Sequence, residues 1–422
     1  MRYIVNHMDM SSKTALIICP NIDGHRQNFC FVIGRWFADN GYHVVVAAGR
    51  LWNTGALREA LLLEEMERRF GVELVELDIA PGFHENVGGL IATVLELEKR
   101  FRPAWTFFPT GDEMLRPLDG LGNAAGILPA PRRCAIFIQM LHVYRFPRRR
   151  HVSLLRQLYE YTFAYYRCKR QENRYFCKDI WKKLGLTCAF STNPHFIRQC
   201  HCSRFFYLTE IYRAWGSKLQ ADHDVVQGLC SDYDMFLKSH AGKRIILYFG
   251  GWAERRGYDL LLNLCRQNRD TVFVSCGRPA SDNEAFRFDV AHLRALLNHE
   301  HRIFEKEIPF LPDNAFTDML FKSAPFVLLP YNNFRGLSGL LVQAASYGKP
   351  VLAPDIGYMG KTVKQHRLGL CYSNGSDADF LRAYHKLCQT ASEYEPSVRA
   401  FAERYTSSAV DRHLSRLLSG DL

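Results

Sequence analysis

Short apolar runs alternate with longer stretches of helical period along most of the chain. "TALIICP" (Thr14–Pro20) precedes "NFCFVIGRWFADNG" (Asn28–Gly41), and "HVVVAAG" (His43–Gly49) follows. In the middle stretch Phe29, Val32, Ile33, Trp36 and Phe37 share one helical face, and Gly41 is placed to stop the helix. The alternation continues through "VELVELDI" from Val72, a helix near Val87–Phe101, "AWTFFP" from Ala104, "CAIFIQML" from Cys134, "TCAFSTN" from Thr187 and "RFFYL" from Arg204. Strands that are apolar almost throughout must be covered on both faces. With helices between them they predict a parallel sheet.

Residues 217–243 break the rhythm. They are polar, weakly periodic, and read as a connector. "RIILYFG" (Arg244–Gly250) opens a second series. "TVFVSCG" from Thr271, "EIPFLP" from Glu307, "PFVLLP" from Pro325, "PVLAP" from Pro350 and "LGLCYS" from Leu368 continue it. A tail helix carries Phe380, Leu381, Tyr384, Leu387 and Cys388 as one stripe, and another helix is expected over Pro396–Leu418. The expected fold is α/β, with two Rossmann-like, doubly wound domains facing across a cleft. Its parts are a first domain over 1–215, a connector over 216–243, a second domain over 244–395 and a closing helix over 396–422. Ligands of such sheets bind beyond the carboxyl ends of the strands.

Two glycine-bearing turns in the second half carry the candidate chemistry. "YFGGWAERRGYDLLLNL" from Tyr248 is a strand, a basic turn and a helix. Gly250 and Gly251 allow a ligand close to the backbone, and Arg256 offers a forked cation. "FRGLSGLLVQAASYGKPVLAP" (Phe334–Pro354) is a loop, a helix and a strand. Ser338 fits an N-cap, Gly336 and Gly339 keep the helix entrance open, and Gly348 ends the helix. Each turn also reads as an ordinary strand-to-helix connection.

In this order and spacing the two turns resemble family-4 retaining glycosyltransferases of the GT-B fold. "GGWAERRGYDLLL" and "RGLSGLLVQAASYGKPVLAPDIG" match the frame of that family's donor domain, and "AFAERYTSSAVDRHLSRLL" is similar to its closing helix, which returns to the first domain. The likeness covers Arg244–Leu418 well and the first half loosely. It implies a nucleoside-diphosphate sugar as donor substrate, no cofactor and no metal, and a glycan or lipid-linked hydroxyl acceptor. The letters differ at defined places. Gly251 stands where the family has a phosphate-binding arginine, and Arg256 replaces its lysine. Arg335 and Gln343 replace its two glutamates. Gln343 keeps a carbonyl acceptor without the charge, and Arg335 can supply the cation missing at Gly251. On this reading Arg335→Glu weakens donor binding, although it restores the family's letter. The replaced glutamates also favour another reading, a non-catalytic binding protein or the partner subunit of a transferase.

In the first half the resemblance points to Gly24 in "CPNIDGHRQNF" as part of a donor loop. It points to His142, at the end of "CAIFIQMLH", as a contact of the donor sugar. Asp112 in "FFPTGDEML" stands just after a strand, where it can take a proton or hydrogen bond from an acceptor hydroxyl. His142 reads equally as a satisfied strand-end histidine, and Asp112 as a helix cap.

Composition adds one feature. The formal charge is +11, and between Arg145 and Lys183 twelve Lys/Arg face only Glu160, Glu172 and Asp179. Leu154, Leu155, Leu158, Tyr161 and Tyr165 lie at helical spacing inside that segment. A basic amphipathic helix suits an anionic membrane surface; a core helix with a solvated basic face is the plainer reading. No nucleic-acid-binding motif accompanies the charge, so a nucleic-acid partner is not expected. The thirteen cysteines are scattered without a CxxC pair, which suits reduced core thiols. His201, between Cys200 and Cys202, lacks further metal ligands at workable spacing. The first residues show no signal-peptide core, so a cytoplasmic protein, peripheral on the inner membrane face, is expected.

Overall fold

A computed structural model gives the structure of the chain and describes residues 13–20, 25–49, 66–77, 87–109, 111, 132–137, 185–192, 197, 204–208, 223–277, 284–307, 315–332, 334 and 336–415. The chain divides into two compact units. One holds 1–140, 170–208 and 410–422; the other holds 141–169 and 209–409.

The first unit is built on a seven-stranded, all-parallel sheet. Its strands are β1 (Thr14–Cys19), β2 (His43–Gly49), β3 (Glu73–Leu77), β4 (Trp105–Phe108), β5 (Arg132–Phe137), β6 (Leu186–Ser191) and β7 (Phe205–Tyr207), in the order β3-β2-β1-β4-β5-β6-β7. The switch of direction beside β1 is the doubly wound arrangement. Helix α1 (His25–Asp39) buries the five residues of its predicted face, Phe29, Val32, Ile33, Trp36 and Phe37. Helix α2 (Val87–Phe101) has the bounds its periodicity predicts. It brings Glu98 to Arg133 of β5 in a two-pronged ion pair, with Nε–Oε1 at 2.8 Å and Nη2–Oε2 at 2.5 Å. Both side chains are almost wholly buried.

Among the described residues the second unit's first element is α3 (His223–Ser239), within the segment read as a connector. Its Tyr233 is fully buried among the unit's apolar residues, and the hydroxyl meets Ser323 Oγ at 2.6 Å. Sparse but well-placed apolar residues are enough here, because only one side of α3 faces the core. Two parallel three-stranded sheets follow, β10-β9-β8 and β11-β12-β13. They comprise β8 (Arg244–Phe249), β9 (Thr271–Gly277), β10 (Ile303–Glu307), β11 (Val327–Leu328), β12 (Val351–Pro354) and β13 (Gly369–Tyr372). β8 and β11 lie near each other. Ile245 and Leu247 of β8 enter one apolar core, and Ile246 and Tyr248 enter another on the opposite face. That alternation explains why "RIILYF" is apolar at every position after its first.

The helices between are α4 (Tyr258–Gln267), α5 (Glu284–His299), α6 (Ala315–Ser323), α7 (Gly339–Ser346), α8 (Gly357–His366), α9 (Asp377–Thr390) and α10 (Glu395–Ala402). The strand expected from Glu307 lies, after that residue, outside the described residues; β10, which precedes it, is a strand the sequence pattern does not predict. β10 is the edge of its sheet, and "IFEKE" is amphipathic rather than continuously apolar. The helix placed over Pro396–Leu418 is broken. It stops at Ala402, a 3-10 turn covers Glu403–Tyr405, and Thr406 is extended before α11 (Ser407–Leu414) begins. Thr406 Oγ1 accepts from Ala409 N at 3.3 Å, an N-cap that restarts the helix. From Val410 the chain belongs to the first unit, where Asp411 pairs with Arg35 of α1 and the His413 ring stands edge-on to Tyr207.

Candidate phosphate-binding site

The turn after β8 is shaped by glycines in close quarters. Gly250 (φ 110) donates its N–H to Cys276 O at 2.8 Å. A Cβ on Gly277, at the end of β9, would stand 2.0 Å from Gly250 O, so these two strand ends meet backbone to backbone. Residues Glu254–Arg256 form a 3-10 turn, and Gly257 closes it in the left-handed region at φ 63. A Cβ there would lie 2.3 Å from Pro330 O. Asn332 N in turn donates to Arg255 O at 2.9 Å. The turn after β8 is thereby fixed to the chain leaving β11, and α4 starts immediately beyond it.

Arg256 folds back over the end of β8. Its Nη2 donates to Phe249 O at 2.9 Å and to Tyr331 Oη at 3.3 Å. Its guanidinium carbon is 5.6 Å from the ring centroids of both Tyr248 and Tyr331. The two ring faces and the carbonyl hold the group in place without neutralising it. No carboxylate pairs with Arg256 among the described residues. Guanidinium stays protonated at any working pH, so this is a permanent, half-buried positive charge at the carboxyl end of the sheet.

Tyr331 also reaches the second turn. Its hydroxyl lies 2.9 Å from Ser338 Oγ. Ser338 has extended backbone (φ −76, ψ 132) and accepts from Leu340 N at 3.2 Å, which makes it the N-cap of α7. Gly339 is buried at the helix start, and Gly336 is backed by the Phe334 ring, 3.0 Å from where a Cβ would sit. Gln343 lies one turn into α7 and is half-buried; its backbone carbonyl accepts from Ser346 Oγ at 2.7 Å. Gly348 (φ 68) follows the last turn of the helix.

The structure thus brings Gly250, Arg256 and Ser338 into one hydrogen-bonded and packed neighbourhood, with Gly251 and Gly339 adjoining them in the chain. Gly24, Asp112, His142, Arg335 and the segment 145–183 lie outside the described residues. Among the described residues no group of three or more His, Cys, Asp or Glu is placed to hold a metal ion, and no helix is long and apolar enough to cross a membrane.

Sequence reasoning missed Tyr331, the residue that joins the two turns. It sits 75 positions from Arg256 in the chain and reads as the apolar end of "PFVLLPY". It missed Tyr248 as well, whose hydroxyl donates to Gly251 O at 2.6 Å. Burial raises the Tyr248 phenol above the usual tyrosine range, so it remains a donor. A brace lies next to the turn. Trp252 stacks on Tyr258 at 5.6 Å and carries Arg294 over its ring at 4.8 Å. Glu305 of β10 takes the Tyr258 hydroxyl at 2.5 Å and pairs with Arg294.

No protein-family model and no curated protein matches the chain. Solved structures do. HepE from Anabaena, determined in complex with UDP-glucose, is similar at 13% identity over 96% of this chain and 99% of that one, with a TM-score of 0.62. Sucrose-phosphate synthase from Thermosynechococcus elongatus is similar at 12% identity over 97% and 98%, with a TM-score of 0.61. UDP-GlcNAc 2-epimerase from Neisseria meningitidis, bound to UDP-GlcNAc, is similar at 12% identity over 96% and 100%, with a TM-score of 0.56. At such identities the likeness speaks for the fold: the chain has the α/β fold of the GT-B glycosyltransferases, with two Rossmann-like units, and an epimerase shares it.

Proposed function

We propose that the chain moves a sugar from a nucleoside-diphosphate sugar to a hydroxyl of a glycan or lipid-linked acceptor, with retention at the anomeric carbon. The observation that carries this reading is Arg256. It is a permanent cation with no carboxylate partner among the described residues, held at the sheet's carboxyl end and joined through Tyr331 to the capped start of α7. In such a transfer the diphosphate leaves with growing negative charge, and fixed donors aimed at it lower the barrier. Arg256, the N–H groups at Ser338–Gly339 and, from the sequence pattern, Arg335 would supply them, with Gly250, Gly251 and Gly336 leaving room. Gln343 would face the nucleoside end, while Gly24, His142 and Asp112 would serve the donor sugar and acceptor. The solved relatives that carry UDP or UDP-sugars support a sugar nucleotide as the ligand class.

A second reading keeps the ligand and drops the transfer. No motif glutamate stands at position 335 or 343, so the chain would bind a sugar nucleotide without turning it over, as a partner subunit. The deciding experiment incubates the protein with UDP-, GDP- and ADP-sugars and follows nucleotide release, with and without membrane lipid extracts as acceptor. Release or transfer that is lost in Arg256→Ala supports the enzyme. Epimerised sugar with no transfer would replace it with an epimerase, and binding with no turnover leaves the non-catalytic reading. For the segment 145–183, sedimentation with anionic liposomes is the test; binding unchanged by replacing Arg148, Arg149 and Arg150 would remove it as the contact.

A further inference from the structure

We propose that Tyr331 is a positioning residue that turns the Ser338 hydroxyl proton toward the anion held by Arg256. The inference rests on the reading of this site as a diphosphate site. It follows from counting donors. Guanidinium only donates, so at the Arg256–Tyr331 contact of 3.3 Å the phenol oxygen must accept. The phenol proton then has one acceptor within hydrogen-bond distance among the described residues, Ser338 Oγ at 2.9 Å. Ser338 Oγ also accepts from Leu340 N at 3.2 Å. Both of its acceptor positions are then filled, and its own proton is the donor left over.

Ser338 and Tyr331 are both buried, at 5% and 6% exposure, so bulk water does not freely reorganise this chain of contacts. The Arg256 charge sets its direction. Reversing the Ser338–Tyr331 bond would leave the phenol proton without an acceptor among the described residues, next to a cation that repels it. Arg256 and Ser338 therefore offer donors of fixed polarity to one ligand, and a phosphate oxygen is the acceptor that suits both. A ligand with only neutral oxygens would gain less from the arrangement.

The test is a double-mutant cycle on Tyr331→Phe and Ser338→Ala, read by calorimetric titration with UDP and with inorganic pyrophosphate. Phenylalanine keeps the ring over Arg256 and removes only the hydroxyl. Each single variant should weaken binding about 10-fold, equivalent to ~1.4 kcal/mol, and the double variant by about the same 10-fold rather than about 100-fold. Ser338→Thr, which keeps a capping hydroxyl, should restore binding to near the parent value. Tyr331→Phe should leave amide-exchange protection at Leu340 unchanged, because Ser338 still caps it; a purely structural role would lower that protection and leave the two effects independent. Losses that multiply, or a Tyr331→Phe variant that binds like the parent, would overturn the proposal while leaving an Arg256-dependent site in place. If the parent binds neither probe, the diphosphate reading falls, and the proposal falls with it.

Discussion

Gly257 to alanine tests the geometry that fixes the turn after β8. Two separate costs arise. The residue sits at φ 63, where a side chain costs ~1–2 kcal/mol. The added methyl would also stand 2.3 Å from Pro330 O and 2.8 Å from the Pro330 ring, so the chain leaving β11 must shift. Overpacking of this kind costs ~1–3 kcal/mol. Gly242 is an internal control, since it has φ 84 but nothing within 4 Å of its Cβ. Gly242→Ala should therefore lose only the conformational part. Amide exchange in β8 and β12, under mild urea, reads the opening free energy of this unit without assuming a single unfolding step for the whole chain. Gly257→Ala should be less stable than Gly242→Ala by about 1–3 kcal/mol. Because Arg256 precedes the strained position, it should also bind UDP more weakly. Equal destabilisation in the two variants would refute the claim that contact with Pro330 locks the turn.

Three further outcomes follow from the packing. Glu98→Ala leaves Arg133 charged in the core of the first unit and should cost ~3–5 kcal/mol in chemical unfolding, whereas Glu98→Leu with Arg133→Met should cost much less. Asp379 accepts from Ser373 N at 2.6 Å and from Arg382 at 2.7 Å, and the Ser373 contact is the main reason its carboxyl is lowered from the usual 3.8 to about 2. A depressed folded value means its contribution is fully present above about pH 4 and lost as pH falls toward 2. An NMR titration should place its midpoint near 2, and Asp379→Asn should flatten that part of the stability profile. Cys134 and Cys188 are opposed on β5 and β6 and are fully buried, and burial raises the Cys134 thiol well above its ordinary value. Native protein should leave both unlabelled by a thiol reagent that modifies them in urea.

The sequence made the strands legible where burial on both faces left no polar alternation, as in "HVVVAAG" and "RIILYF". The N-cap at Ser338 was legible because capping is local: one hydroxyl and an N–H two residues on. The edge strand β10 was not legible, since Glu305, Lys306 and Glu307 leave it no apolar run. The break at Thr406 was missed because a threonine cap inside an amphipathic stretch does not interrupt the apolar spacing. Tyr331 could not be read at all. Its meaning comes from β11 and β8 lying near each other, a proximity that no local pattern encodes. The same holds for the Trp252–Arg294–Glu305 brace, whose members come from a turn, a helix and a strand.

The central claim is that a nucleoside diphosphate binds where Arg256 crosses the end of β8. Calorimetric titration of UDP, GDP and ADP into the parent protein and into Arg256→Ala addresses it directly. The account predicts saturable binding of at least one of them by the parent, weakened at least ~10-fold by the substitution, since a contact to a charged partner is worth ~1.5–3 kcal/mol. Binding of equal strength in Arg256→Ala, or none by the parent protein, would contradict it.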